Sequence, residues 1–351
     1  LRFYYETICG ITPPEEINEG DDPAGVGDLV HTTLRDWYAP WKGGTLDLSA
    51  PAERAAAERS LSDCFLKALS ASDLPDRLPP ESAAMLRVAG PARLVAFLRA
   101  QPDKTTILRL EERFTCTLDV TGRERILGGT LDRVDFRRVL PAGGGEACEG
   151  AVILDYKTGR IKKIPPAVWM DDSFWDTIFS GRISPDREHP GGAWPDDADA
   201  WRPDAADTDD PDSPDMAGEE RASFPHREAD GPDWSALRER LRDPDPENDV
   251  LPLIAARLPS VQLPYYMYLY ARATGEDVLD AAFASLGEDG KEAFLFGPAM
   301  PEAVREEALN RRIPDLVRLI LLHLECCPEF RPREGRHCDW CSWNNLCIMT
   351  D

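Results

Sequence analysis

In the first part of the chain, apolar positions recur every three or four residues. In "DLVHTTLRDWY", residues 28 to 38, Leu29, Leu34 and Trp37 fall at helical spacing, and Val30 and Tyr38 widen the stripe. Further helical stretches follow around 51 to 71 and 81 to 100. The period then changes. "TILRLEERFTCTLDV", "RILGGTLDRVDFRRV" and "GAVILDYKTG" are strand-like, separated by the turn signals "TGRE" and "PAGGGE". Consecutive strands on short turns predict an antiparallel meander. Helical patterning resumes at 234 to 242 and in "VQLPYYMYLYARATG". A strand pair around 281 to 296, a long amphipathic helix over 302 to 325 and a cysteine-rich tail complete the pattern.

Composition interrupts this order once. From about 164 to 232 the chain turns to Pro, Asp, Gly and Ala, a mixture that buries little apolar surface. Trp169, Phe174, Trp175 and Phe179 can still dock its first part on the core. The expected organisation is an N-terminal helical and strand region over 1–161, an acidic insertion over 162–260, and the rest of the core with the tail over 261–351. The formal charge of −24 argues at first against nucleic acid, but residues 171 to 250 hold most of the excess acid. Elsewhere Arg133, Arg137, Arg138, Arg160, Lys162 and Lys163 gather near the strand motifs, so charge alone does not exclude that partner.

No apolar run approaches the roughly 18 residues of a membrane span, and no secretory signal opens the chain. It starts at Leu1 in mid-pattern, which reads as a domain cut from a longer protein. Nine cysteines, an odd number crowded toward one end, fit reduced thiols and a cytoplasmic setting better than a secreted disulfide framework.

Candidate chemistry concentrates on the strands. In "AVILDYKTG" the alternation of a strand sends Asp155 and Lys157 to one face and Tyr156 to the other. One strand earlier, "GGTLDRVD" carries Asp132. Carboxylates on adjacent strands can share a hard divalent cation, and a nearby lysine can stabilise charge developing on a phosphate. The plainer alternative is that Asp132 pairs with Arg133 or Lys157 and only stabilises the sheet. His31, on the preceding helix, can complete such a site or be an ordinary helical histidine. Gln262 and Tyr266 lie one turn apart on a helix face, where an amide and a phenol can hold phosphate oxygens or belong to an aromatic core.

The tail "HCDWCSWNNLC" spaces Cys338, Cys341 and Cys347 as ligands of one centre. Zinc needs a fourth ligand, available in His337 or His323; a four-iron cluster needs another cysteine, with Cys326 and Cys327 nearby. Buried thiols with no metal are the third possibility.

Taken in order, Gly27-x3-His31, Gly-Gly-Thr-Leu-Asp132-Arg-Val-Asp135, Leu-Asp155-Tyr-Lys157-Thr-Gly159 and Gln262-x3-Tyr266 resemble the RecB-family nucleases of the PD-(D/E)xK superfamily. The tail is similar to the iron–sulfur staple of AddB-type helicase–nuclease subunits and of related CRISPR-associated exonucleases. The resemblance covers 1 to 161 and 261 to 351. It implies an α/β fold with a restriction-endonuclease-like core, a mixed central sheet flanked by helices. It implies His31, Asp132, Asp155 and the Tyr156 backbone carbonyl as ligands of Mg²⁺ or Mn²⁺, Lys157 as the catalytic lysine, and Gln262 and Tyr266 as accessory catalytic groups. The fourth ligand of a 4Fe–4S cluster would lie upstream of Leu1, so the expectation is that the cluster of the parent protein is absent, incomplete or replaced by zinc here, while Cys9 takes a core role. The function implied is exonucleolytic cleavage of DNA, single-stranded and fed by a helicase subunit or domain, in double-strand break repair and recombination. The rival is a catalytically inactive DNA-binding or scaffold domain of the same fold docking a helicase subunit.

Overall fold

The computed structural model describes residues 9, 22–139, 148–159, 161, 164–180, 232–242 and 250–326. Helix α1 (Pro23–Tyr38) starts earlier than its apolar stripe, because the Asp22 carboxylate accepts from the Gly25 backbone N–H at 2.8 Å and Pro23 suits the first turn. A short edge strand β1 (Thr45–Asp47) leads to α2 (Pro51–Ala71), α3 (Leu74–Arg77) and α4 (Pro80–Ala100). Helices α2 and α4 approach closely at Gly90, where an added Cβ would lie 2.3 Å from the Phe65 ring.

The expected meander is present as β2 (Lys104–Val120), β3 (Arg123–Val139) and β4 (Cys148–Lys157). After it come α5 (Asp172–Ser180), α6 (Trp234–Arg242), α7 (Leu251–Arg257) and α8 (Gln262–Thr274). Then follow β5 (Val278–Ser285), β6 (Lys291–Phe294), α9 (Glu302–Glu307) and α10 (Ile313–Cys326), with a π-helical turn at Ala308–Arg312 between the last two helices. The strands form one six-stranded sheet in the order β1-β2-β3-β4-β5-β6. Among these neighbours β4 and β5 are parallel and the rest antiparallel, so the sheet is mixed. A parallel pair needs a crossover, and α5 to α8 lie within it.

Among the described residues two large apolar cores flank the sheet, beside a small cluster of Val152, Leu154, Leu279 and Ala282. One joins Leu34, Tyr38, Leu61, Phe65, Leu94 and Phe97 of α1, α2 and α4 to Ile107, Leu110 and Tyr156. The other joins α5 to α8 and α10 to Phe114, Leu127, Leu131, Ile153 and Phe283. Trp169, Phe174 and Trp175 are buried in this second core, so the described start of the acidic segment is docked, as its aromatic residues imply. Helices α6 and α7 add Leu237 and Ile254 to the same core. Cys9, given a core role from the sequence, is exposed instead, in a bend that belongs to no helix or strand. Cys338, Cys341, Cys347, Cys327 and His337 lie outside the described residues, and so do Arg160, Lys162 and Lys163.

Candidate active site

The site forms where the sheet comes apart. Strands β2 and β3 pair Leu110 with Arg133 and Glu112 with Leu131, which sets Glu111 opposite Asp132. At this level the side-chain alternation inverts on both strands. Leu110 faces the α1–α4 core, whereas Phe114 and Leu131 face the α8 core. Glu111 has φ of 40°, a left-handed conformation that costs a non-glycine residue on the order of 1 kcal/mol. Backbone strain of this kind gathers at functional sites.

Pairing between β3 and β4 ends at Arg133 and Leu154. Just past that pair, the Tyr156 backbone N–H donates to Asp132 Oδ2 at 2.8 Å. The carboxylate has taken the place of a ladder carbonyl, and the strands splay around it. Burial of Asp132, at 8% exposure, is tolerable because a backbone N–H satisfies it. The sheet-stabilising alternative for Asp132 fails here: Arg133 pairs with Asp135 and Lys157 pairs with Asp155.

Helix α1 brings His31 to the opening. Its Nδ1 lies 3.4 Å from Asp132 Oδ1 and 3.6 Å from Glu111 Oε1, and its Nε2 lies 3.2 Å from the Tyr156 carbonyl. Ligand-capable atoms of His31, Glu111 and Asp132 all fall within 4.8 Å of one another. One imidazole nitrogen and two carboxylates are a hard, oxygen-rich donor set that suits Mg²⁺ or Mn²⁺. Burial opposes a charge on the imidazole, but hydrogen bonds and the charges of Asp132 and Glu111 outweigh it and push His31 up to about 10.

Asp155 stands just outside this triplet. Its Oδ2 pairs with Lys157 Nζ at 2.5 Å, and its Oδ1 accepts from Gln262 Nε2 at 2.7 Å. The same amide reaches the Tyr266 hydroxyl at 3.1 Å. Burial, then the charge of Asp132, push the Asp155 carboxyl up to about 6 against the pull of Lys157 and His31. A divalent cation beside it would relieve that carboxylate further, as the Lys157 ammonium does in part. Helix α8 can lie this close to β3 because Gly129 has no side chain; a Cβ there would meet Leu269, Tyr266 and Tyr265 at 3.2 to 3.6 Å.

His31, Asp132, Asp155, Tyr156, Lys157, Gln262 and Tyr266 are therefore brought to one opening from α1, β3, β4 and α8. Glu111 is the residue that the sequence pattern does not reveal. In "LRLEERF" it looks like one more polar position on a half-exposed strand, and only the kink turns it inward.

Beneath the opening lies a buried ionic network. Arg133, with no exposed surface, makes two bonds of 2.7 Å to Asp135, one of 2.8 Å to Gln101, and stacks 4.4 Å from the Tyr38 ring centre. Arg137 bridges Asp135 and Glu292. Two of the basic residues that gather near the motifs are thus structural rather than available at the surface.

A mixed sheet flanked by helices, with acidic groups and a lysine at splayed strands, is the fold of the PD-(D/E)XK nucleases. The model of the PD-(D/E)XK nuclease superfamily matches residues 1–171, a span that contains His31, Glu111, Asp132, Asp155 and Lys157. Gln262 and Tyr266 lie beyond it. The match points to a metal-dependent nuclease and hence to a nucleic acid substrate. Neither a curated protein nor a solved structure matches the chain.

Proposed function

We propose that this chain is a Mg²⁺- or Mn²⁺-dependent deoxyribonuclease domain that hydrolyses phosphodiester bonds from the ends of single-stranded DNA. The observation that carries the reading is the convergence of His31, Glu111, Asp132, Asp155 and Lys157 at the splayed ends of β3 and β4. His31, Glu111 and Asp132 would hold the cation, with Asp155 and the Tyr156 carbonyl at its border. A bound divalent cation supplies charge neutralisation for the phosphate and lowers the pKa of water at neutral pH.

The chain's own groups divide the remaining work. Asp155 holds the Lys157 ammonium at the mouth of the site, where it can donate to a phosphate oxygen as charge builds in the transition state. Gln262 fixes the Asp155 carboxylate from the α8 side, and Tyr266 fixes Gln262. The hydrogen bond between the Tyr156 N–H and Asp132 keeps that carboxylate turned toward His31.

The finer reading, an AddB-type subunit serving a helicase in double-strand break repair, draws on the motif order and on the Cys338, Cys341, Cys347 spacing. A 4Fe–4S cluster in the longer parent protein belongs to the same reading. The test is degradation of end-labelled linear and circular DNA, single- and double-stranded, with Mg²⁺, Mn²⁺ or EDTA. Metal-dependent loss of the linear single strand, with the circle spared, is the expected result. Equal cutting of the circle would overturn the exonuclease reading, and no cutting in either metal would overturn the nuclease.

A further inference from the structure

Beyond Glu111 and Asp132 the β2–β3 hairpin continues outward with its faces sharply divided. Phe114, Leu118, Val120 and Leu127 are buried against the α8 side. Among the described residues the opposite face is open to solvent. It presents the cross-strand pairs Arg113 with Thr130, Thr115 with Gly128, and Thr117 with Ile126, every one of them exposed. Threonine is usual on a strand open to water, whereas a glycine inside a strand is not. This face carries three threonines, a glycine, one arginine and an isoleucine that is 81% exposed.

Three features point the same way. The first pair lies two residues beyond Glu111 and Asp132, with the Glu112 and Leu131 pair between, so the face begins close to the proposed cleavage site. Arg113 makes no ion pair among the described residues, and its Nη2 lies 3.8 Å from where a Gly128 Cβ would stand. The guanidinium therefore rests along a strip that glycine keeps low. Beyond Ile126 the face ends at Asp119 opposite Glu124, two carboxylates that repel phosphate.

We propose that this face is a track for one nucleic acid strand, running from Arg113 and Thr130 to Thr117 and Ile126. The proposal rests on the nuclease reading and adds the path by which the substrate reaches that site. Arg113 binds the phosphate next to the one being cleaved, and the threonine hydroxyls donate to phosphate oxygens farther along. Ile126 offers an apolar contact to the face of a base. A duplex keeps base faces stacked, so the partner is a single strand. Five residues of strand span about 14 Å from end to end, room for roughly four nucleotides at a rise of ~3.4 Å.

The test is binding rather than cutting. Fluorescence anisotropy of a short labelled oligothymidine in EDTA, over a salt series, is measured for wild type, Arg113→Ala, Arg113→Lys, Gly128→Val and Ile126→Ser. Arg87→Ala, an exposed arginine of α4, is the control. Loss of Arg113 should weaken binding roughly tenfold and lower the salt slope by about one, with Arg113→Lys recovering most of both. Gly128→Val and Ile126→Ser should weaken binding by severalfold, and Arg87→Ala less than twofold. Thermal melting identifies any variant that has lost its fold, and the exposed Arg113 is not expected to be one. Unchanged affinity in Arg113→Ala, or no wild-type binding to the single strand, would overturn the track. Intact binding by this face in a protein that cuts nothing in Mg²⁺ or Mn²⁺ would sustain the track and overturn the nuclease instead.

Discussion

Arg133 carries its charge where water does not reach, and Asp135 compensates it with two short bonds, helped by Gln101 and the Tyr38 ring. Removing one partner of such a pair leaves an uncompensated buried ion, which costs about 3–5 kcal/mol. Asp135→Ala should therefore lower unfolding stability by about that much, measured by urea denaturation, whereas Asp36→Ala on the surface should change it by well under about 1 kcal/mol. His31 gives a second prediction. Its imidazole holds a proton up to about 10 because Asp132 and Glu111 face it. A ligand nitrogen must be free of its proton, so Mn²⁺ binding near neutral pH should release about one proton. Calorimetry in buffers of different ionisation enthalpy checks this, and proton-neutral binding would remove His31 from the ligands. At this scale the alternation in "LDYKTG" made the Asp155–Lys157 pair readable in advance. Glu111 was not readable, since its inward turn depends on a backbone kink that neither spacing nor residue type announces.

At the scale of elements, Asp280 fastens strand β5 to the chain beyond β6. Its carboxylate accepts from the backbone N–H groups of Ala281, Phe296 and Gly297, which pins that segment to the sheet. Burial nevertheless pushes this carboxyl up to about 6. With a folded pKa above the unfolded value of 3.8, the folded state binds more protons between those limits, so stability falls as pH rises from about 4 to 6. Wild type should lose stability across that window relative to Asp280→Asn, whose profile lacks this component; parallel profiles would contradict the assignment. The strand meander was legible from its alternation and turn signals, and the α2, α4 and α8 helices from their length, although Gly90 and Pro91 interrupt α4. Strand β1 and helices α3, α5 and α7 were not, being short, and the 302–325 helix hid its π-helical turn.

On the scale of the whole molecule, two cores and one mixed sheet leave an opening where α1, β3, β4 and α8 meet. The helices hold His31 and Gln262 at its walls, so the site depends on residues far apart in sequence. The motifs name His31, Asp132, Asp155 and Gln262 as candidates, and the packing of α1 and α8 on the sheet brings them together. What the sequence could not supply was the bare outer face of the hairpin, since burial on one side and exposure on the other emerge only when α8 and α10 have packed. Among the described residues no helix is long and apolar enough to cross a membrane. Metal-dependent hydrolysis at this opening is checked by the initial rate of linear DNA cleavage in Mn²⁺ for wild type, Lys157→Ala and Asp132→Asn. Wild type should cut only with the metal present, and each variant should lose roughly 10²–10³-fold of that rate. Cutting at the wild-type rate by either variant would mean that the chemistry happens elsewhere.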